Sequence, residues 1–140
     1  MKNWFLKIKK ALLWRHFFPA LLWAALLLVI FSLEFATFPG QAIFGFITPG
    51  MIAHFFVFAI FSFLISVSLK KQYNVPFLRK NGIKVALTSG ILYGTLMEFM
   101  QLYLWEARSY ELQDIMLNVA GCFFGIFIFY FVYKGTVSMG

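Results

Sequence analysis

A chain of 140 residues gives room for one domain, and 62% of it is apolar, with twenty phenylalanines and only 12% charged residues. Soluble domains run at about 45–50% apolar and about 25% charged, so a fold this small has no way of hiding the surplus from water, and lipid is its solvent. The net charge of +7 gathers beside apolar stretches rather than across one face, which excludes a nucleic-acid partner and points to membrane headgroups.

A bilayer core of about 30 Å takes about 20 apolar residues of helix. Four segments are predicted to span it, at about 17–38, 51–69, 83–105 and 115–133. Each must be helical, because lipid offers no partner for unpaired backbone groups. The expected fold is all-α: a polytopic, multi-pass protein of the cell membrane, with four transmembrane helices in one bundle covering residues 1–140. No internal repeat is evident.

The first segment follows a basic arm of Lys2, Lys7, Lys9, Lys10 and Arg15. Its apolar run exceeds the about 7–15 residues of a signal-peptide core, and no convincing cleavage site follows, so it is expected to stay as a helix. Trp23 lies deep enough to pack, and Glu34 near the far end reaches toward headgroups. His16 sits by the near interface. The loop from Pro39 to Gly50 has no Lys or Arg. The second segment opens with His54, and the gap after it holds Lys70, Lys71, Arg79 and Lys80, with Lys84 just beyond.

On the third segment Gly90, Gly94, Glu98 and Gln101 fall within about 80° at 100° per residue. The next loop carries Glu106, Arg108 and Glu111, and the fourth segment starts with Asp114 and Asn118. There Asp114, Asn118, Gly121 and Gly125 share about 60°. Small residues four apart let helices approach closely, so both stripes should face inward and carry their polar groups with them. Lys134 is the one cation of the tail. The positive charges alternate loop by loop, which predicts both termini cytoplasmic. Trp4, Trp14, Trp105, Tyr103 and Tyr110 suit interfacial anchoring.

That topology brings Glu34, His54, Glu98, Gln101, Asp114 and Asn118, from all four segments, to one depth near the outer face. An ionised carboxylate facing lipid costs about 2.5–3.5 kcal/mol at a helix centre, whereas Arg108 can hold one bidentately. Arg108 is therefore expected to pair with Glu98, Asp114 or Glu111. Three readings stay open: a structural network locking the bundle, a pocket for a ligand or substrate, and a path for ions or protons. His54 alone is more often a packed, hydrogen-bonded residue.

Chemical signatures are otherwise sparse. There is no GxSxG elbow, HExxH pair, phosphate loop or dinucleotide turn, and Ser109 beside Arg108 does not make a nucleophile. Cys122, the only cysteine, excludes a disulfide framework and reads as packing. His54 with carboxylates has the chemistry of a metal site, but no close ligand spacing supports one, so neither metal nor cofactor is expected. Should the chain be an enzyme, Glu98, Asp114 and His54 are its catalytic candidates. As a binder, it would use these three with Gln101, Arg108 and Asn118.

The order Glu98, Gln101, Arg108, Asp114, Asn118, Gly121, Gly125, with the upstream His54-Phe55-Phe56, resembles the VanZ-like family of small polytopic membrane proteins over about residues 51–131. The resemblance implies an integral membrane protein that is linked, in the family's named member, to glycopeptide (teicoplanin) resistance in the cell envelope. Envelope precursors or glycopeptide-like molecules are then expected ligands and membrane lipid the surroundings; apart from the resemblance, the glycine stripes would serve a homo-oligomer as readily as a monomer core. Many members place an Asp-Lys pair just before the histidine, where this chain has Gly50-Met51. His54 should then draw no charged partner from that loop.

Overall fold

The computed structural model describes residues 2–32, 47–72, 75–104 and 112–133, with side chains in the first helix from residue 14 onward. Its elements are α1 (Lys2–Ser32), α2 (Pro49–Lys70), α3 (Pro76–Lys80), α4 (Gly82–Leu104) and α5 (Leu112–Val132). Glu34, Trp105, Glu106, Arg108, Ser109, Tyr110, Glu111 and the side chain of Trp4 lie outside the described residues.

The long helices reproduce the apolar segments, with one extension and one addition. α1 begins at Lys2 instead of near residue 17. The basic arm is rich in Lys and Leu and free of Gly and Pro up to Pro19, so nothing in it breaks a helix. Pro19 lies inside α1 and removes one N–H from its ladder, a loss that membrane helices tolerate. α3 occupies part of the gap read as a loop. Pro76 at its first turn supplies a preset helical φ.

α2 starts where its sequence makes a start easy. Thr48 is extended, and its hydroxyl oxygen accepts from the Met51 N–H at 3.2 Å. Pro49 fills the first turn, where no N–H is missed. The cap fixes the register that puts His54 in the second turn.

α2 is the centre of the bundle. It packs most extensively on α5, and also on α1 and α4. The α2–α5 contact is close because of glycine. A Cβ at Gly121 would strike the carbonyl oxygen of Phe55, and one at Gly125 the carbonyl oxygen of Ala59. On α4, a Cβ at Gly90 would come within 2.6 Å of Cys122 Sγ. Both expected glycine stripes thus pack inward.

Leu27, Phe31, Phe58, Phe61, Met97 and Cys122 form the buried core. Trp23 Nε1–H donates to the Val57 carbonyl at 3.0 Å, and the Tyr93 hydroxyl donates to the Ala24 carbonyl at 2.5 Å. These bonds tie α1 to α2 and α4, and Trp23 packs as its depth suggested. At the other end of the bundle Lys71 lies 5.9 Å over the Tyr133 ring, within reach of a cation–π contact.

Large apolar side chains cover the outside, among them Leu92, Leu96, Phe127 and Phe131. Trp14 and Tyr103 are also exposed. Three helices are long and apolar enough to cross a membrane: Trp14–Ser32 of α1, Pro49–Lys70 and Leu112–Val132. α4 is as long, at 23 residues, but more polar. Its polar groups Glu98 and Gln101 are buried. The pattern is that of a membrane protein: apolar outside, polar groups enclosed.

Candidate functional site

The start of α2, the end of α4 and the start of α5 meet at one end of the bundle, beside the last turns of α1. Each contributes polar residues: His54 from α2, Glu98 and Gln101 from α4, Asp114 and Asn118 from α5. All five are buried, none more than 6% exposed. In a chain that is 62% apolar, this is a selective gathering.

His54 is the hub. Its Nδ1 lies 3.0 Å from Asn118 Oδ1 and 3.3 Å from Glu98 Oε1. Its Nε2 lies 3.8 Å from Asp114 Oδ2. The imidazole therefore has a carboxylate on either side. The Phe31 ring rests against it, with centroids 4.9 Å apart, and closes the α1 side.

Asn118 decides how the ring is protonated. Its Nδ2 donates to Glu98 Oε1 at 3.4 Å, which turns its Oδ1 toward His54. An amide oxygen only accepts, so Nδ1 of His54 carries a hydrogen. In the neutral ring Nε2 is then the lone-pair nitrogen, and it faces Asp114.

Gly94 makes the arrangement possible. A Cβ there would lie 3.1 Å from Asn118 Cβ, 3.2 Å from Phe58 Cε1 and 3.3 Å from Asn118 Nδ2. Any side chain would press on the amide that links His54 to Glu98.

Gln101 sits one turn beyond Glu98 and joins a different partner. Its Nε2 donates to the Phe31 carbonyl at 3.3 Å. Its buried Oε1 accepts no hydrogen bond among the described residues. Phe31 is the site residue that the sequence did not reveal. Its role runs through a carbonyl and a ring in a helix full of apolar residues, so no signal was there to read.

The structure thus joins His54, Glu98, Asp114 and Asn118 directly and sets Gln101 beside them through Phe31. Arg108, the expected cation, lies outside the described residues. Among the described residues, His54 has the charged neighbours Glu98 of α4 and Asp114 of α5. One donor atom each from His54, Glu98 and Asp114 lies within 4.8 Å of the others. This closeness was invisible in sequence spacing, because the three residues belong to three helices.

The VanZ/LLP1 family model matches residues 4–133. The chain belongs to the VanZ/LLP1 family. The match takes in α1 as well as the stretch whose residues carried the resemblance, so the helix that brings Phe31 to the site is part of the family's unit. No curated protein and no solved structure matches the chain significantly.

Proposed function

We propose that this VanZ-family protein is a multi-pass protein of the cell membrane whose polar cluster binds a polar group of an envelope precursor or a glycopeptide-like ligand. The role would be of the kind that links the family's named member to teicoplanin resistance. Four spans with both termini cytoplasmic place the cluster toward the outer face. α4, at 23 residues, extends about 34 Å at 1.5 Å per residue, enough for the fourth crossing.

One observation carries the reading: five polar side chains from three helices are buried together at one end of the bundle. Burying carboxylates costs several kcal/mol per ion after relaxation, and a bundle held by glycine packing and apolar contact does not need them. In this reading Arg108 holds an anionic group, Glu98 and Asp114 orient it, and Gln101 and Asn118 supply amides. Membrane lipid surrounds the bundle.

A second reading rests on His54 having a carboxylate near each ring nitrogen. That is the layout of an acid–base pair. A membrane-embedded hydrolase or transferase would use Glu98 or Asp114 as base and His54 as proton carrier, acting on a lipid-linked or glycan substrate.

One experiment separates the readings. Wild type, Arg108→Ala and Glu98→Gln are purified in nanodiscs and assayed for binding of a lipid-linked envelope precursor and of teicoplanin, and for turnover of the precursor. Loss of a charge-assisted contact worth about 1.5–3 kcal/mol should weaken binding roughly 10–100-fold with unchanged thermal unfolding. Turnover by wild type that vanishes in Glu98→Gln selects the enzyme. Folded variants that bind and react as wild type does reject both.

A further inference from the structure

The end of the bundle away from the polar cluster carries a second concentration of charge, of the opposite sign. We propose that the turn from α2 through α3 to α4 is a docking surface for the headgroups of anionic phospholipids, with the Phe77 ring seated among their acyl chains. This surface is distinct from the polar cluster, and the inference does not depend on what that cluster binds.

Cations converge here from three elements. Lys70 lies in the last turn of α2 and Lys71 caps that helix, Arg79 and Lys80 belong to α3, and Lys84 lies near the start of α4. Lys71, Arg79, Lys80 and Lys84 are exposed. They stand on a hydrogen-bonded frame. Asn81 donates twice to the Phe77 carbonyl, from its backbone N–H at 3.0 Å and from Nδ2 at 3.1 Å. Its own carbonyl accepts from the Val85 N–H at 3.0 Å, which joins the turn to α4. The ends of α2 and α4 also touch. A Cβ at Gly82 would lie 3.2 Å from Leu69 Cβ and 3.8 Å from Lys70 Cδ, so the Lys70 stem runs past the start of the helix that carries Lys84.

The carboxylates are elsewhere. The sequence has no Asp or Glu between Glu34 and Glu98. Among the described residues only Glu98 and Asp114 are acidic, and both belong to the polar cluster. At 1.5 Å per residue Glu98 lies about 21 Å along α4 from Lys84. Like charges brought together repel, so this end of the bundle is eased by anions from outside the chain.

The apolar neighbours indicate which anions. Phe77 is 68% exposed and stands two and three residues from Arg79 and Lys80. In water the ring would gain nothing from that position. At a membrane surface it sinks below the headgroups while the long cationic side chains reach up to the phosphates. α2 and α4 show lipid apolar side chains such as Ile60 and Leu92, so a headgroup held at their ends keeps its acyl chains in hydrocarbon. A soluble phosphate would use the cations but not the ring. In the topology proposed above, this end lies in the cytoplasmic leaflet, the one whose anionic lipids give a negative surface potential.

The test uses the full-length chain carrying a bimane fluorophore on Phe77→Cys in a Cys122→Ser background, reconstituted in phosphatidylcholine nanodiscs. Brominated phosphatidylglycerol or brominated phosphatidylcholine is included at one fixed fraction as quencher. Quenching should report a roughly 5–30-fold preference for phosphatidylglycerol, the scale of one or two contacts between a cation and an anionic surface. Lys80→Gln combined with Lys84→Gln should remove most of that preference. Both side chains are exposed, and thermal unfolding checks that the fold is kept. Raising salt from about 50 mM to about 500 mM should shrink the preference without any change to the lysines. Aqueous iodide should quench the bimane less than either brominated lipid does. Equal quenching by the two lipids before the lysines are changed overturns the inference, as does a preference that survives both lysine replacements. Loss of the preference on adding inorganic phosphate at constant ionic strength would make a soluble anion the occupant and overturn it too. Strong quenching by iodide alone would set α3 in water and remove the anchor.

Discussion

At the scale of the residue, Asn118 is more constrained than either carboxylate beside it. It accepts from His54 and donates to Glu98, so no other side chain of its size performs both tasks. Asn118→Asp keeps the shape but turns a donor into an acceptor facing Glu98. It is expected to cost about 1–3 kcal/mol of stability, the penalty for leaving buried groups badly paired, read by thermal unfolding in detergent. Gln101→Leu should cost much less, because one end of that amide has no partner among the described residues. Equal losses in the two variants would mean that Gln101 Oε1 has a partner and that the orphaned acceptor is not a feature of the site.

At the scale of the element, glycines set the distances between helices, and their replacements should differ in cost by what each Cβ meets. At Gly125 the obstacle is the Ala59 carbonyl, part of a helix backbone. At Gly90 it is Cys122 Sγ, the end of a side chain. Gly125→Ala is expected to lose about 1–3 kcal/mol or more through overpacking, and Gly90→Ala less. Cys122→Ala vacates the space that a Cβ at position 90 would enter. Gly90→Ala with Cys122→Ala should therefore be more stable than the sum of the single changes predicts, a coupling measured by a double-mutant cycle. Strict additivity would contradict the packing. Much of this scale was legible in advance. Runs of apolar residues gave α2, α4 and α5 to within three residues at each end, and the four-residue glycine spacing gave the faces that meet. The start of α1 was hidden because a basic arm outside lipid gains nothing from apolar patterning yet still has good helix formers. α3 was hidden because five residues carry no period. Of the site, His54, Glu98, Asp114 and Asn118 were legible as misfits in an apolar chain. Their mutual order was not, because tautomer and amide direction are decided only by neighbours from other helices.

At the scale of the whole molecule, the crossing of α4 decides the topology, since it is the one long helix without a stretch that passes as a membrane span by length and apolarity. Lys80 and Leu112 are exposed and lie just before and just after it. In a Cys122→Ser background, Leu112→Cys in intact cells should react with a membrane-impermeant maleimide, and Lys80→Cys should react only after permeabilisation. Both labelled alike from outside would put the two ends of α4 on the same side and refute the four-span topology. The glycine stripe of α5 is occupied by α2, so a homo-oligomer would have to form through another face. Phe127, which is exposed, is a better crosslinking position than Gly121.

The order of the chain gives the cluster a history. His54 and Glu98 are synthesised before Asp114 and Asn118, so the ribosome delivers two of the polar groups to the membrane while the amide that joins them is still unmade. The site is finished only when α5, the last of the described helices, packs its glycines onto α2. Final assembly of the polar centre and closure of the bundle are thus one event, and a chain that stalls before α5 has neither.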